Sequence, residues 1–199
     1  MFKYIDKPQI PDYIVDIIRE QYKDHTDTKT LSDFDKMKIN DSIQNEIDKA
    51  YGESSEGLGM PFEYSNTYEG LASFTMIKAD DRITQWVRDN VTDELNGVHV
   101  QIIDGKYVFP HIDMLRNRAW NYTIDTGDAN TCFYDVRPEY SHLKLSPRTY
   151  VPYDRVIETH RYKIENHRWH ELAVDKIHSV EDIKDVRLAL SISFVDSTQ

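Results

Sequence analysis

VHVQIIDGKYVFPHID, residues 98–113, decides the fold. Two short apolar runs flank Asp104-Gly105, a dipeptide that favours a tight turn, so the stretch predicts a β-hairpin. Downstream, AWNYTID (119–125), NTCFYDV (130–136), RVIETHRYKI (155–164), RWHELAV (168–174), KIHSV (176–180) and RLALSISFV (187–195) are further β-rich runs separated by turn-forming residues. Upstream the pattern changes. After Pro11-Asp12, residues Ile14, Ile17, Ile18 and Tyr22 fall on one helical face, and Ile39, Ile43 and Ile47 repeat at steps of four until about Gly52. ESSEGLGMP (53–61) is linker-like and reads as a surface loop suited to a mobile lid. LASFTMIKA (71–79) predicts a strand and DDRITQWVRDNV (80–91) a helix with an acidic start. The expected architecture is one domain over residues 1–199, mainly β with N-terminal helices. A helical or mixed support spans 1–97, and an antiparallel sandwich or barrel spans 98–195.

Charge and composition narrow the function classes. The 199 residues carry 24 Lys plus Arg against 35 Asp plus Glu, a formal net charge of −11, which repels phosphate backbones and anionic headgroups. Nucleic acid is therefore a poor expected partner, and a small molecule or a protein side chain is a better one. Hydrophobic residues at 39% and aromatics at 12% exclude a disordered chain. The single cysteine, Cys132, excludes an internal disulfide and any cysteine-cluster metal site, leaving histidine and carboxylate as ligands. Residues 1–20 lack the pattern of a signal peptide, and no run approaches the roughly 20 apolar residues of a membrane span. A soluble, cytoplasmic protein is expected. With seven glycines and no GxGxxG or P-loop, a nucleotide-phosphate cradle is not expected.

The chemistry concentrates in Phe109-Pro110-His111-Ile112-Asp113. On a strand, residues two apart share a face, so His111 and Asp113 can bind one ion from a single element. His178, on a later predicted strand, is the best third ligand. His160, His167 and His170 compete for that role, but His167 and His170 face opposite sides of a strand and read as structural or exposed. Two histidines with one carboxylate leave positions open on a metal, the arrangement of non-haem Fe(II) oxygenases.

These residues carry a family likeness. PHIDMLRNRAWNYTIDTGDANTCFYD (110–135), with the later RWHELAV, IHSVED and RLALSISF, resembles the 2-oxoglutarate and Fe(II)-dependent oxygenase superfamily, in particular its compact prolyl-hydroxylase-like and phage or bacterial members. The resemblance implies a double-stranded β-helix (a cupin-like jelly roll) with supporting helices. It implies Fe(II) held by His111, Asp113 and His178, and Arg187 pairing with the distal carboxylate of the cosubstrate 2-oxoglutarate. It also implies O2-dependent hydroxylation of a substrate coupled to decarboxylation of 2-oxoglutarate to succinate. A bidentate guanidinium suits a carboxylate, and strand parity puts Arg187 on one face with Ala189, Ser191 and Ser193. Where many members have Arg-x-Ser, this chain has Arg187-Leu188-Ala189, without the hydroxyl. Parity also puts Tyr107 on the His111 side and lets Asn121 look inward, either toward the oxoacid or the substrate. Arg116 and Arg118 are candidate contacts for an anionic substrate. The other reading is a non-catalytic binding or structural module that keeps the fold, with or without a metal, since fold does not fix function.

Overall fold

The computed structural model describes residues 1–26, 73–113, 116–142, 151 and 153–194. The stretch holding Ile39, Ile43 and Ile47 and the 53–61 loop lie outside them. In chain order the described elements are β1 (Phe2–Tyr4), α1 (Asp12–Thr26), β2 (Ser73–Lys78), α2 (Asp81–Asn90), β3 (Gly97–Asp104), β4 (Val108–His111), β5 (Arg118–Asp125), β6 (Asn130–Val136), β7 (Val156–Lys163), β8 (Trp169–Ala173), β9 (His178–Glu181) and β10 (Arg187–Ser193). The fold is mainly β, in two antiparallel sheets. One runs β1-β8-β5-β10-β3-β2 and the other β4-β9-β6-β7.

Each downstream run predicted as a strand is one, but the first two do not form the expected hairpin. β3 pairs with β10 and β2, whereas β4 pairs with β9 in the other sheet. Gly105 sits at φ 137°, outside the geometry of a two-residue hairpin turn, and the chain uses it to cross between sheets. From there the strands pass back and forth, so β3, β5, β8 and β10 face β4, β6, β7 and β9. β1, only three residues long, is too short to show periodicity; it joins the sheet edge through Phe2↔Leu172 and Tyr4↔His170.

The six-stranded sheet has two unlike faces. On one, Val98, Val100, Tyr122, Trp169, Leu190 and Ile192 bury against Ile14, Ile18, Ile83 and Val87 of the helices. This is the face whose apolar period the helices match, and fully burying each such side chain contributes about 1.5–3 kcal/mol. Pro11 opens α1, its carbonyl accepting from the Ile14 and Val15 amides, and Asp80 caps α2 by accepting from the Arg82 amide at 2.8 Å. The other face of the sheet carries a set of buried polar side chains, Gln101, Asn121, Thr123, His170, Arg187 and Ser191, among apolar ones such as Ile103 and Leu172. Buried polar groups need hydrogen-bond partners, and these look toward β4, β6 and β9, where Arg187 finds Thr131.

Candidate metal centre

A bulge in β4 aims the first ligand. Val108 pairs with Val180 and His111 with His178, three steps on β4 against two on β9, so one residue is extra around Phe109-Pro110. Proline fits there because it has no amide to donate; its carbonyl accepts from Val151 N at 2.8 Å. The bulge sets His111 directly across from His178, their ring centroids 4.4 Å apart. Asp113 follows β4, its amide donating to Val174 O at 2.9 Å.

Three donor atoms converge. Asp113 Oδ1 lies 3.3 Å from His111 Nε2 and 3.8 Å from His178 Nε2, and one ligand atom from each residue fits within 4.8 Å. Each imidazole is oriented from behind: His111 Nδ1 lies 2.7 Å from Phe109 O and His178 Nδ1 2.9 Å from Lys176 O. A carbonyl only accepts, so each Nδ1 carries a proton and each Nε2 is turned toward Asp113. Burial, reinforced by neighbouring His111, pushes His178 down to about 4, so its ring is neutral at physiological pH. Burial alone would raise Asp113, but the hydrogen bond with His111 and the charge of the Arg116 guanidinium reverse it and hold the carboxyl well below its usual range. Two imidazoles and one carboxylate are a donor set that fits a divalent first-row metal such as Fe(II). Among the described residues this is the one such cluster.

Arg187 opens β10 and crosses to the other sheet, where Nη1 donates to Thr131 Oγ1 at 3.1 Å. It is 3% exposed, its Nε has no hydrogen-bond partner, and burial draws its pKa down to about 10. No carboxylate balances it among the described residues, so the guanidinium is buried without a counter-charge. Arg187, Thr131, Asn121, Arg116 and the three converging side chains line one cavity, with Val108, Val180 and Leu172 as apolar walls. Gly127 fixes where β10 begins. At φ 58°, it lies so close to the backbone carbonyl of Asp185 that a Cβ would collide with it, and its own carbonyl accepts from Lys184 and Asp185 amides.

The remaining candidates divide. Asn121 looks inward as parity requires, is 3% exposed, and leaves Oδ1 without a partner. Ala189 and Ser191 share the cavity side with Arg187, while Leu188, Leu190 and Ile192 join the helix-side core. Tyr107 does not join them. The bulge breaks the alternation that put it with His111, so it packs on Tyr153 with Phe109, ring centroids 6.3 and 5.1 Å from Tyr153. Arg118 is on the wrong face for a cavity contact: it covers the Phe194 ring at 4.5 Å and lies 3.8 Å from Glu171. Arg116 is no solvated loop residue, since Nε and Nη2 donate to Asp113 Oδ2 at 2.7 and 2.6 Å. His170 is fully buried and His160 and His167 are exposed, so none of them reaches the cluster. Cys132 is buried, and burial pushes its thiol up to about 12, a core residue rather than a nucleophile.

Two residues escaped the sequence reading. Thr131 holds Arg187 from the facing sheet; the parity of NTCFYDV, with Cys132 and Tyr134 in the opposite cluster, was the available signal. Glu181 accepts from Tyr134, Tyr153 and Ser179 at 3.0, 2.6 and 2.5 Å and ties β9 to β6.

The buried histidines set an acid limit. His170, driven down to about 3 by burial and then by Arg187, and His178 at about 4 both titrate near 6.5 in an unfolded chain. Between those values the unfolded chain binds more protons, so stability is complete above pH 6.5 and falls as pH drops, by up to about 1.4 kcal/mol per unit for each histidine. Urea midpoints of cation-free protein are expected to decline steadily from pH 6.5 to 4.5. A flat profile would mean that these rings are solvated.

No family model matches the chain, and no curated protein matches it. Among solved structures it is similar to the X-ray structure of E. coli ycfD, with a TM-score of 0.37 and 9% identity over 58% of this chain and 29% of that one. The chain thus spans less than a third of the length of that protein. No described helix is long and apolar enough to cross a membrane.

Proposed function

We propose that the protein is a non-haem Fe(II), 2-oxoglutarate-dependent dioxygenase that hydroxylates a small molecule or a protein side chain. The observation that carries this is the convergence of His111 Nε2, His178 Nε2 and Asp113 Oδ1 with both Nδ1 atoms engaged behind them, in one cavity with an unbalanced, buried Arg187. The strand order supports the double-stranded β-helix: β8-β5-β10-β3 and β4-β9-β6-β7 are formed by eight consecutive strands wound between two sheets.

In this reading His111, Asp113 and His178 hold the metal. Fe(II) with 2-oxoglutarate and O2 supplies an oxidant strong enough to hydroxylate an unactivated C–H bond, while the oxoacid loses CO2 and becomes succinate. Arg187 binds the distal carboxylate through its fork, and Thr131, within hydrogen-bond distance of that guanidinium, provides from β6 the hydroxyl that Ala189 lacks. Asn121 lines the same cavity and offers its unpartnered Oδ1 to a donor group of the substrate. Val108, Val180 and Leu172 exclude water, which strengthens each polar contact inside. No side-chain acid or base is needed for the hydroxylation itself.

Anaerobic addition of Fe(II) and then 2-oxoglutarate is the test. A weak visible charge-transfer band on adding the oxoacid supports the assignment. Folded protein that binds Fe(II) and shows no band is a metal-binding module, and protein that binds neither is a β-fold module of the second kind.

A further inference from the structure

Asp113 has two oxygens and only one faces the histidines. The other, Oδ2, is saturated from the opposite side by Arg116, whose Nε and Nη2 both donate to it at 2.7 and 2.6 Å. The third arm of the guanidinium, Nη1, reaches Ser191 Oγ at 3.3 Å and Ser193 Oγ at 3.4 Å, two hydroxyls projecting from β10. Both partners are largely buried, with side chains 13% and 12% exposed. The arrangement is a clamp, running from the carboxylate through a rigid planar group to a strand of the other sheet.

We propose that Arg116 is a positioning residue that makes Asp113 present one oxygen, and only one, to the cation. A carboxylate free to turn offers two oxygens to a metal, which would occupy a position needed by another ligand. With Oδ2 held, Oδ1 stays between His111 Nε2 and His178 Nε2 before any cation arrives. Charge does not explain the placement, because a cation beside an incoming cation opposes binding; the fork geometry does. This inference rests on the proposed metal centre and extends it to a residue that acts on the cation through Asp113.

Arg116→Lys separates the two effects, since it keeps the charge and loses the fork. The probe is Co(II), with affinity read by competition against a chromophoric chelator and coordination read from the visible spectrum, alongside urea unfolding of cation-free protein. We expect Arg116→Lys to bind Co(II) about 10–100-fold more weakly than wild type, the loss typical of an orienting partner, with altered visible bands. The double variant Ser191→Ala/Ser193→Ala, which keeps the Arg116–Asp113 pair and loosens its anchor, is expected to weaken Co(II) in the same direction and serves if Arg116→Lys fails to fold. Affinity within twofold of wild type and an unchanged spectrum, whatever happens to stability, overturns the proposal while leaving the metal centre standing. Wild-type protein that binds no Co(II) overturns both.

Discussion

His111→Ala protein is expected to lose divalent-cation affinity by more than about 100-fold and to show no oxoacid-dependent visible band, while remaining folded. The magnitude follows from position. Loss of a group that merely orients a ligand costs about 10–100-fold, and His111 is itself one of three donors around a single point. Folding should survive because the side chain is partly exposed and lies at the end of a four-residue strand, where truncation leaves no sealed void. Isothermal titration with Fe(II) or Co(II) under anaerobic conditions measures the loss, and circular dichroism checks the fold. Wild-type affinity in the variant would place the cation elsewhere and end the assignment of His111, Asp113 and His178.

Arg187→Met should produce two changes of opposite sign. In ligand-free protein Arg187 is a buried cation with one hydroxyl for company and an unpaired Nε, so an apolar side chain of similar length removes a desolvation cost. Stability in urea is expected to rise by about 1 kcal/mol or more. Oxoacid binding moves the other way. Removing one partner of a buried charge-assisted contact costs about 2–5 kcal/mol, which is about a 30- to 4,000-fold weaker affinity for 2-oxoglutarate. The Fe(II) affinity should hardly change, since Arg187 belongs to the far end of the cavity. A variant both less stable and unimpaired in oxoacid binding would make Arg187 a structural residue.

What the sequence disclosed and what it concealed have the same origin. Alternation with period two is a local property, so the runs from residue 98 onward were legible as strands, and so was the face shared by Arg187 and Ser191. His111, Asp113 and His178 were legible for the same reason, with the spacing of the metal phrase added. Local alternation cannot show an extra residue, and with the bulge at Phe109-Pro110 Tyr107 lies against Tyr153 while His111 lines the cavity. Nor can a turn dipeptide show which strands prefer each other over long range: Asp104-Gly105 predicts a hairpin, yet β3 and β4 find partners more than 60 residues away in β10 and β9. Arg116 and Thr131 act across the gap between sheets, a distance with no counterpart along the chain.

The register of His111 against His178 has a bearing on how such a protein can change over time. Their separation is set by the spacing of adjacent hydrogen-bonded strands, roughly 4.8 Å, a dimension of the polypeptide itself rather than of any side chain around it. Substitutions in the surrounding walls can alter which molecules enter without altering the gauge of the histidine pair. If the proposed function holds, specificity and metal retention are thereby separable traits, and drift in the first need not erode the second.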